Sequence, residues 1–159
     1  MNRKSLIALL AKFNSPNWCI RRIDGTNEKI DWLPIWEFEG HRFGVTKKGG
    51  WTGEFADRKR IRPDNFYAAF LTILEKKRSD IVKSLKEAIT SAGLPENVIR
   101  TFPFDEVMET AITIPSYIMC AYSWLDDGYP LSPGIVNLLP EHKLVRRWQK
   151  ERMDKIING

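Results

Sequence analysis

Residues 35–46 read IWEFEGHRFGVT and carry the clearest structural pattern in the chain. Aromatic and β-branched residues alternate with polar ones on both sides of a Glu-Gly pair, which predicts a β-hairpin. The segment WCIRRI at 18–23 has the same character and ends at an Asp-Gly turn. We therefore expect three or four antiparallel strands between residues 18 and 62.

Helical periodicity lies on both sides of this strand region. Apolar residues at 6, 9, 10 and 13 predict a helix over 5–13 with Ser5 as its cap. After Pro63, a spacing near 3.6 residues predicts either one long helix capped by Asp64 and ending at Gly93, or two helices broken near residues 79–80. Further helices are expected at 105–112, 115–126 and 140–157.

Strands followed by helices predict an α+β fold rather than a parallel doubly wound sheet. We expect an N-terminal helix, a small antiparallel sheet and a mostly helical C-terminal two-thirds. The chain of 159 residues is the length of one domain, so we predict a single domain over 1–159, strand-rich at 18–62 and helical at 64–157.

Composition limits the class of protein. Of the residues, 43% are hydrophobic and 11% aromatic, enough for a core that needs neither disulfide nor metal. We therefore expect Cys19 and Cys120 to be thiols rather than a bridge. The longest uncharged stretch, 110–125, is too short to span a membrane. The apolar run at 6–11 stops at Lys12 without a cleavage site, so a cytoplasmic protein is expected.

Catalytic and metal-binding patterns are weak. An acidic-x-Lys element typical of metal nucleases occurs at 57–59, 75–77 and 141–143, and three matches among 28% charged residues indicate coincidence. His41 and His142 lie outside any motif, the cysteines and histidines lack zinc-ligand spacing, and no phosphate loop is present. We therefore expect no catalytic residue, no metal and no cofactor. A small enzyme whose site is not recognisable from the sequence stays as an alternative.

Charge is unevenly distributed along the chain, whose net charge is +5. Residues 1–62 hold 13 lysines and arginines against 7 acidic residues. Many of these cations cluster around Trp51 and Phe55, a mixture that can neutralise phosphates and stack on an unpaired base. The candidate nucleic-acid-binding residues are Lys47, Lys48, Trp51, Arg58, Lys59, Arg60 and Arg62. The alternative is that the basic run is a solvated loop and that Trp18, Trp36, Phe38 and Phe43 cover one face of the sheet.

The segment SWLDDGYPL at 123–131 is the most distinctive string. Asp126 and Asp127 would meet the negative end of a helix dipole, which favours a cationic partner. In the alternative interpretation Gly128 ends the helix, an aspartate pairs with an internal arginine, and Trp124 and Tyr129 pack inward.

The small size, the strands followed by helices and the string WLDDGYPL at 124–131 resemble bacterial immunity proteins of contact-dependent inhibition and other polymorphic toxin systems. The resemblance implies a cytosolic, non-enzymatic protein that binds one cognate toxin domain, often a nuclease, and blocks its active site or substrate access. The main alternative is a nucleic-acid-binding module.

A basic toxin would be repelled at long range by a net charge of +5. Docking is therefore expected on the acidic segment 63–140, which holds 10 acidic against 6 basic residues. Helical spacing puts three carboxylates of this segment on one face, and the paired aspartates are expected nearby. The candidate partner-binding residues are Asp105, Glu106, Glu109, Trp124, Asp126, Asp127 and Tyr129.

Overall fold

The computed structural model describes residues 1–139 together with residues 154, 155, 157 and 158. The predicted helix at 140–157 lies mostly outside these residues, and His142 lies outside them entirely.

Five strands form one sheet in the order β4-β3-β2-β1-β5. Neighbouring strands are antiparallel except β1 and β5, which are parallel. The strands are β1 (Cys19–Ile23), β2 (Lys29–Phe38), β3 (His41–Thr46), β4 (Trp51–Gly53) and β5 (Arg60–Ile61). The predicted hairpin at 35–46 is confirmed as β2 and β3.

The two edges of this sheet meet. Glu54, directly after β4, forms an antiparallel bridge with Ile61 of β5. The N–H of Arg62 donates to the carbonyl of Gly53, and the N–H of Phe55 donates to the carbonyl of Arg60, both at 2.9 Å. Along the chain, β1 to β5 alternate in direction, so β1 and β5 run the same way. They therefore pair in parallel in the closed sheet. The prediction of three or four antiparallel strands is therefore wrong in number and in this pair.

Helices make up most of the remaining described chain. The α-helices are α1 (Arg3–Lys12), α2 (Arg78–Ser91), α3 (Phe104–Thr113), α4 (Ile118–Asp126) and α5 (Pro133–Leu138), with 3-10 helices at Tyr67–Glu75 and Glu96–Thr101. The mixed α+β class is confirmed.

Capping corrects two predicted helix starts. The side chain of Asn2 accepts from the N–H of Ser5 at 2.9 Å, so α1 begins at Arg3 and Ser5 lies within it. Asp64 caps no helix, because its carboxylate pairs with Arg3 at 2.7 Å. The helical stretch after Pro63 is two helices, and the break lies at 76–77 rather than 79–80.

Strand alternation divides the apolar residues between two cores. One face of the sheet packs on the helices and forms the main core with Phe70, Phe102 and Trp124. Its sheet residues are Leu33, Trp36, Phe43, Val45 and Trp51. The other face lies inside the closed sheet, where Ile30, Trp32 and Ile61 form a small second core.

Candidate partner-binding surfaces

An open cleft of about 480 Å³ lies at the N-terminal end of α3. Asp105 and Glu106, in the first turn of that helix, line it together with Asp64. Tyr67 and Phe104 contribute aromatic surface, and the other lining residues include Arg3, Arg100 and Phe102. We call this the acidic cleft. It brings two of the predicted partner-binding residues together with a third carboxylate from a distant part of the chain.

Hydrogen bonds hold two of these carboxylates in place. Arg3 binds Asp64 at 2.7 Å, and the hydroxyl of Tyr129 donates to Asp105 at 2.5 Å. Glu106 is exposed and forms no ion pair with the residues that the structure describes. Burial raises the pKa of the Tyr67 phenol, and the charges of Glu106 and Asp64 raise it further. The charged residues that line the acidic cleft are three carboxylates and two arginines, and Glu106 offers its carboxylate to a cationic group.

Glu109 lies on the same helix but packs against α5. The Oγ of Ser132 lies 3.5 Å from Glu109 Oε1. A Cβ placed on Gly134 would lie 1.9 Å from the same oxygen. Glycine at 134 therefore lets the two helices approach closely, and Glu109 is less accessible than Glu106.

The paired aspartates line a different groove, of about 510 Å³. Lys77 and Arg78, at the start of α2, line the same groove. Lys77 and Arg78 therefore place positive charge in the same groove as Asp126 and Asp127.

The two predicted aromatic anchors pack into the protein. Trp124 is 2% exposed, and its Nε1–H donates to the carbonyl of Lys76 at 2.9 Å. The ring of Tyr129 lies 6.1 Å from that of Trp124. Burial and the hydrogen bond to Asp105 raise the pKa of Tyr129 well above its usual value. Both rings support the acidic cleft and do not form an open contact surface.

The candidate nucleic-acid-binding residues separate into two groups. Trp51 is 2% exposed and donates its Nε1–H to Thr101 at 3.0 Å, so its ring is not open for stacking. Lys47 pairs with Asp31 at 3.2 Å, and Lys48 pairs with Glu28. Arg58, Lys59, Arg60 and Arg62 form the second group, at the loop between β4 and β5 and along β5 itself.

Asp57 organises that loop. Its carboxylate accepts the N–H of Lys59 at 2.9 Å and that of Arg60 at 3.2 Å, and it binds the Arg60 guanidinium at 2.8 Å. These bonds lower the pKa of Asp57 to about 2, and the hydrogen bond from the Lys59 N–H has the largest effect. Arg58 adopts a positive φ of 53° and extends into solvent.

Phe55 is the aromatic centre of this second group. The guanidinium carbons of Arg60 and Arg62 lie 4.6 and 4.3 Å from its ring centroid. That of Arg62 also lies 4.9 Å from the ring of Phe66, which is 43% exposed.

A buried charged cluster inside the sheet was not predicted. The Glu54 side chain is 2% exposed and binds Arg21 at 2.6 Å and Arg42 at 2.8 Å. Both guanidinium groups also lie over the ring of Trp32, at 5.7 and 5.6 Å from its centroid. The signal available in the sequence was the position of Arg21, two residues before the apolar Ile23 of β1, whereas Arg42 and Glu54 alternate with Gly44 and Thr52 and gave no such signal.

The remaining chemical groups are ordinary. His41 is exposed at the start of β3, directly after the predicted turn. Cys19 and Cys120 are free and partly buried, and burial raises the pKa of the Cys120 thiol. No group of three His, Cys, Asp or Glu side chains that could hold a metal occurs among the described residues. Within the same residues, no helix has the length and apolar character to cross a membrane.

No family model matches the chain, and comparison with curated proteins and with solved structures gives no match either.

Proposed function

We propose that the protein is an immunity protein that binds a cognate bacterial toxin domain in the cytoplasm and neutralises it without catalysis. The toxin domain would be a nuclease whose active site or substrate access is blocked by the bound protein. The observation that carries this proposal is the acidic cleft, which is lined by Asp64, Asp105 and Glu106 together with the aromatic side chains of Tyr67 and Phe104. A cationic side chain of the toxin would enter this cleft.

Three features of the cleft support recognition of a protein. Its carboxylates come from the segment before the first 3-10 helix and from α3, so their spacing depends on the folded structure. Asp105 is fixed by Tyr129, which lowers the entropy lost on binding. Aromatic side chains beside charged groups are typical of the residues that dominate protein interfaces.

An electrostatic argument also supports this cleft. A nuclease domain that binds nucleic acid carries basic side chains around its active site. Glu106 is exposed and forms no ion pair within the described chain, so its charge is available to such a side chain. A complementary charge pair at an interface increases the association rate and restricts the choice of partner.

The first test is genetic. We expect a large secreted toxin to be encoded immediately upstream, and co-expression of this chain to protect cells from the toxic domain of that protein. The variant Glu106→Lys should lose protection, whereas Glu87→Lys should retain it. Glu87 is a suitable control because it is also an exposed helical glutamate without an ion pair among the described residues.

Two results would contradict the proposal. One is a toxin that kills equally with and without this chain. The other is equal protection by wild type and Glu106→Lys, which would exclude the acidic cleft as the binding surface.

A further inference from the structure

A row of cations crosses the outer face of the closed sheet. Arg22 in β1 lies directly opposite Lys29 in β2 and beside Arg60 in β5. Residues paired in this way project from the same face of a sheet. The adjacent pair Ile23 and Ile61 points inside, towards the second core, so the three cations point outward.

This row is electrostatically unfavourable in the free protein. Like charges directly opposite each other destabilise a sheet. Arg60 is compensated by Asp24 and Asp57, each at 2.8 Å. Arg22 and Lys29 are exposed and have no ion-pair partner in the described part of the chain. Arg22 and Lys29, on strands about 4.8 Å apart, therefore remain without a counter-charge.

The positive surface continues past β5. Lys59 is exposed beside Arg60, and the Arg62 guanidinium packs on the rings of Phe55 and Phe66. It pairs with no carboxylate among the residues described. A guanidinium stacked on an aromatic ring keeps its N–H edge free to bind a phosphate with two hydrogen bonds. We call these cations and the two rings the basic belt: Arg22, Lys29, Phe55, Lys59, Arg60, Arg62 and Phe66.

We propose that the basic belt binds the phosphates of a single-stranded nucleic acid that crosses β2, β1 and β5. Phosphate binding explains why Arg22 and Lys29 lie side by side without carboxylates, since each can neutralise one phosphate. The exposed ring of Phe66 offers a stacking surface for an unpaired base. An acidic protein segment is less suited to this surface, because its carboxylates would neutralise the cations but leave the exposed Phe66 ring without a base to stack on it.

The structure thus revises the residues predicted for nucleic-acid binding. Lys59 and Arg62 belong to the basic belt, and Arg60 belongs to it by position although Asp24 and Asp57 already compensate its charge. Trp51 is buried, while Lys47 and Lys48 are already paired with carboxylates. The basic belt shares no residue with the acidic cleft, so this inference does not depend on the proposed function.

The test measures fluorescence anisotropy of a labelled oligouridylate across a range of salt concentrations. Wild type should show a linear fall of log K with log salt concentration. The double variant Arg22→Ala/Lys29→Ala should bind more weakly, with a slope smaller by about 1.4, because each lost phosphate contact removes about 0.7. The matched control, Lys47→Ala/Lys48→Ala, removes the same formal charge and should leave the slope unchanged.

A urea titration of the Arg22→Ala/Lys29→Ala variant checks its fold, which we expect to be at least as stable as wild type because like charges are removed. Four results would overturn the proposal: no salt-dependent binding by wild type, equal slopes for the two double variants, equal affinity for duplex RNA, or binding of labelled polyglutamate in place of the oligouridylate.

Discussion

The replacement Glu54→Gln tests the buried charged cluster inside the closed sheet. In wild type the two carboxylate oxygens bind Arg21 and Arg42 separately. Glutamine keeps the shape of the side chain but removes the charge, and its amide NH₂ would face one guanidinium with donor against donor. One arginine would therefore lose its hydrogen bond, and both would lose their counter-charge beside Trp32.

The expected loss of stability follows from the exposure of the three side chains. The Glu54 side chain is 2% exposed, and those of Arg21 and Arg42 are 16% and 23% exposed. Breaking a buried ion pair costs about 3–5 kcal/mol. Because the arginines retain some contact with solvent, we expect the lower end, about 3 kcal/mol. For a domain of this size that corresponds to a fall in Tm of about 6–12 °C.

Urea denaturation of wild type and Glu54→Gln measures the difference in free energy of unfolding. The control Glu96→Gln removes the ion pair with Lys86. The side chains of Lys86 and Glu96 are 42% and 59% exposed, so this loss should cost less than about 1 kcal/mol. A Glu54→Gln loss as small as that of the control would refute the reasoning. The triple variant Arg21→Met/Arg42→Met/Glu54→Leu should recover most of the stability, since an apolar replacement needs no counter-charge.

Three further predictions concern the loop and the cleft. NMR titration should give the Asp57 carboxyl a pKa of about 2, and Arg60→Ala should move that pKa towards 3.9. Because the folded state lowers this pKa, the contribution of Asp57 to stability is present above pH 3.9 and is lost as the pH falls towards 2. Ultraviolet titration should show that Glu106→Gln lowers the raised pKa of Tyr67 but leaves it above 10.0, because burial is the larger cause. An unchanged Tyr67 pKa would show that the charge of Glu106 does not act on this phenol. Tyr129→Phe should lose one hydrogen bond to α3 and about 1 kcal/mol in a urea titration, and unchanged stability would show that this bond contributes nothing.

The strand pattern predicted the hairpin and the start of the sheet, but not how the sheet closes. β4 and β5 are three and two residues long, too short for a visible alternation. The contact that closes the sheet, between Glu54 and Ile61, depends on the loop between them. Its geometry comes from the bonds to Asp57, which periodicity does not reveal.

The candidate sites were predicted unevenly for a related reason. Helical spacing predicted Asp105, Glu106 and Glu109 on one face of a helix; Asp105 and Glu106 line the acidic cleft, whereas Glu109 packs against α5. Alternation could not show which face of the sheet the helices cover, so Trp51 was predicted on an open surface and is buried. The cross-strand row of Arg22, Lys29 and Arg60 required the register of three strands.

We propose that this protein acts by holding a cationic group of a toxin domain in the acidic cleft. Calorimetric titration of the purified toxin domain into wild type, Glu106→Lys and Glu87→Lys tests it most directly. We predict that Glu106→Lys weakens binding by about tenfold or more, equivalent to about 1.4 kcal/mol, while Glu87→Lys binds like wild type. Equal affinity of all three proteins for the toxin domain would contradict the claim.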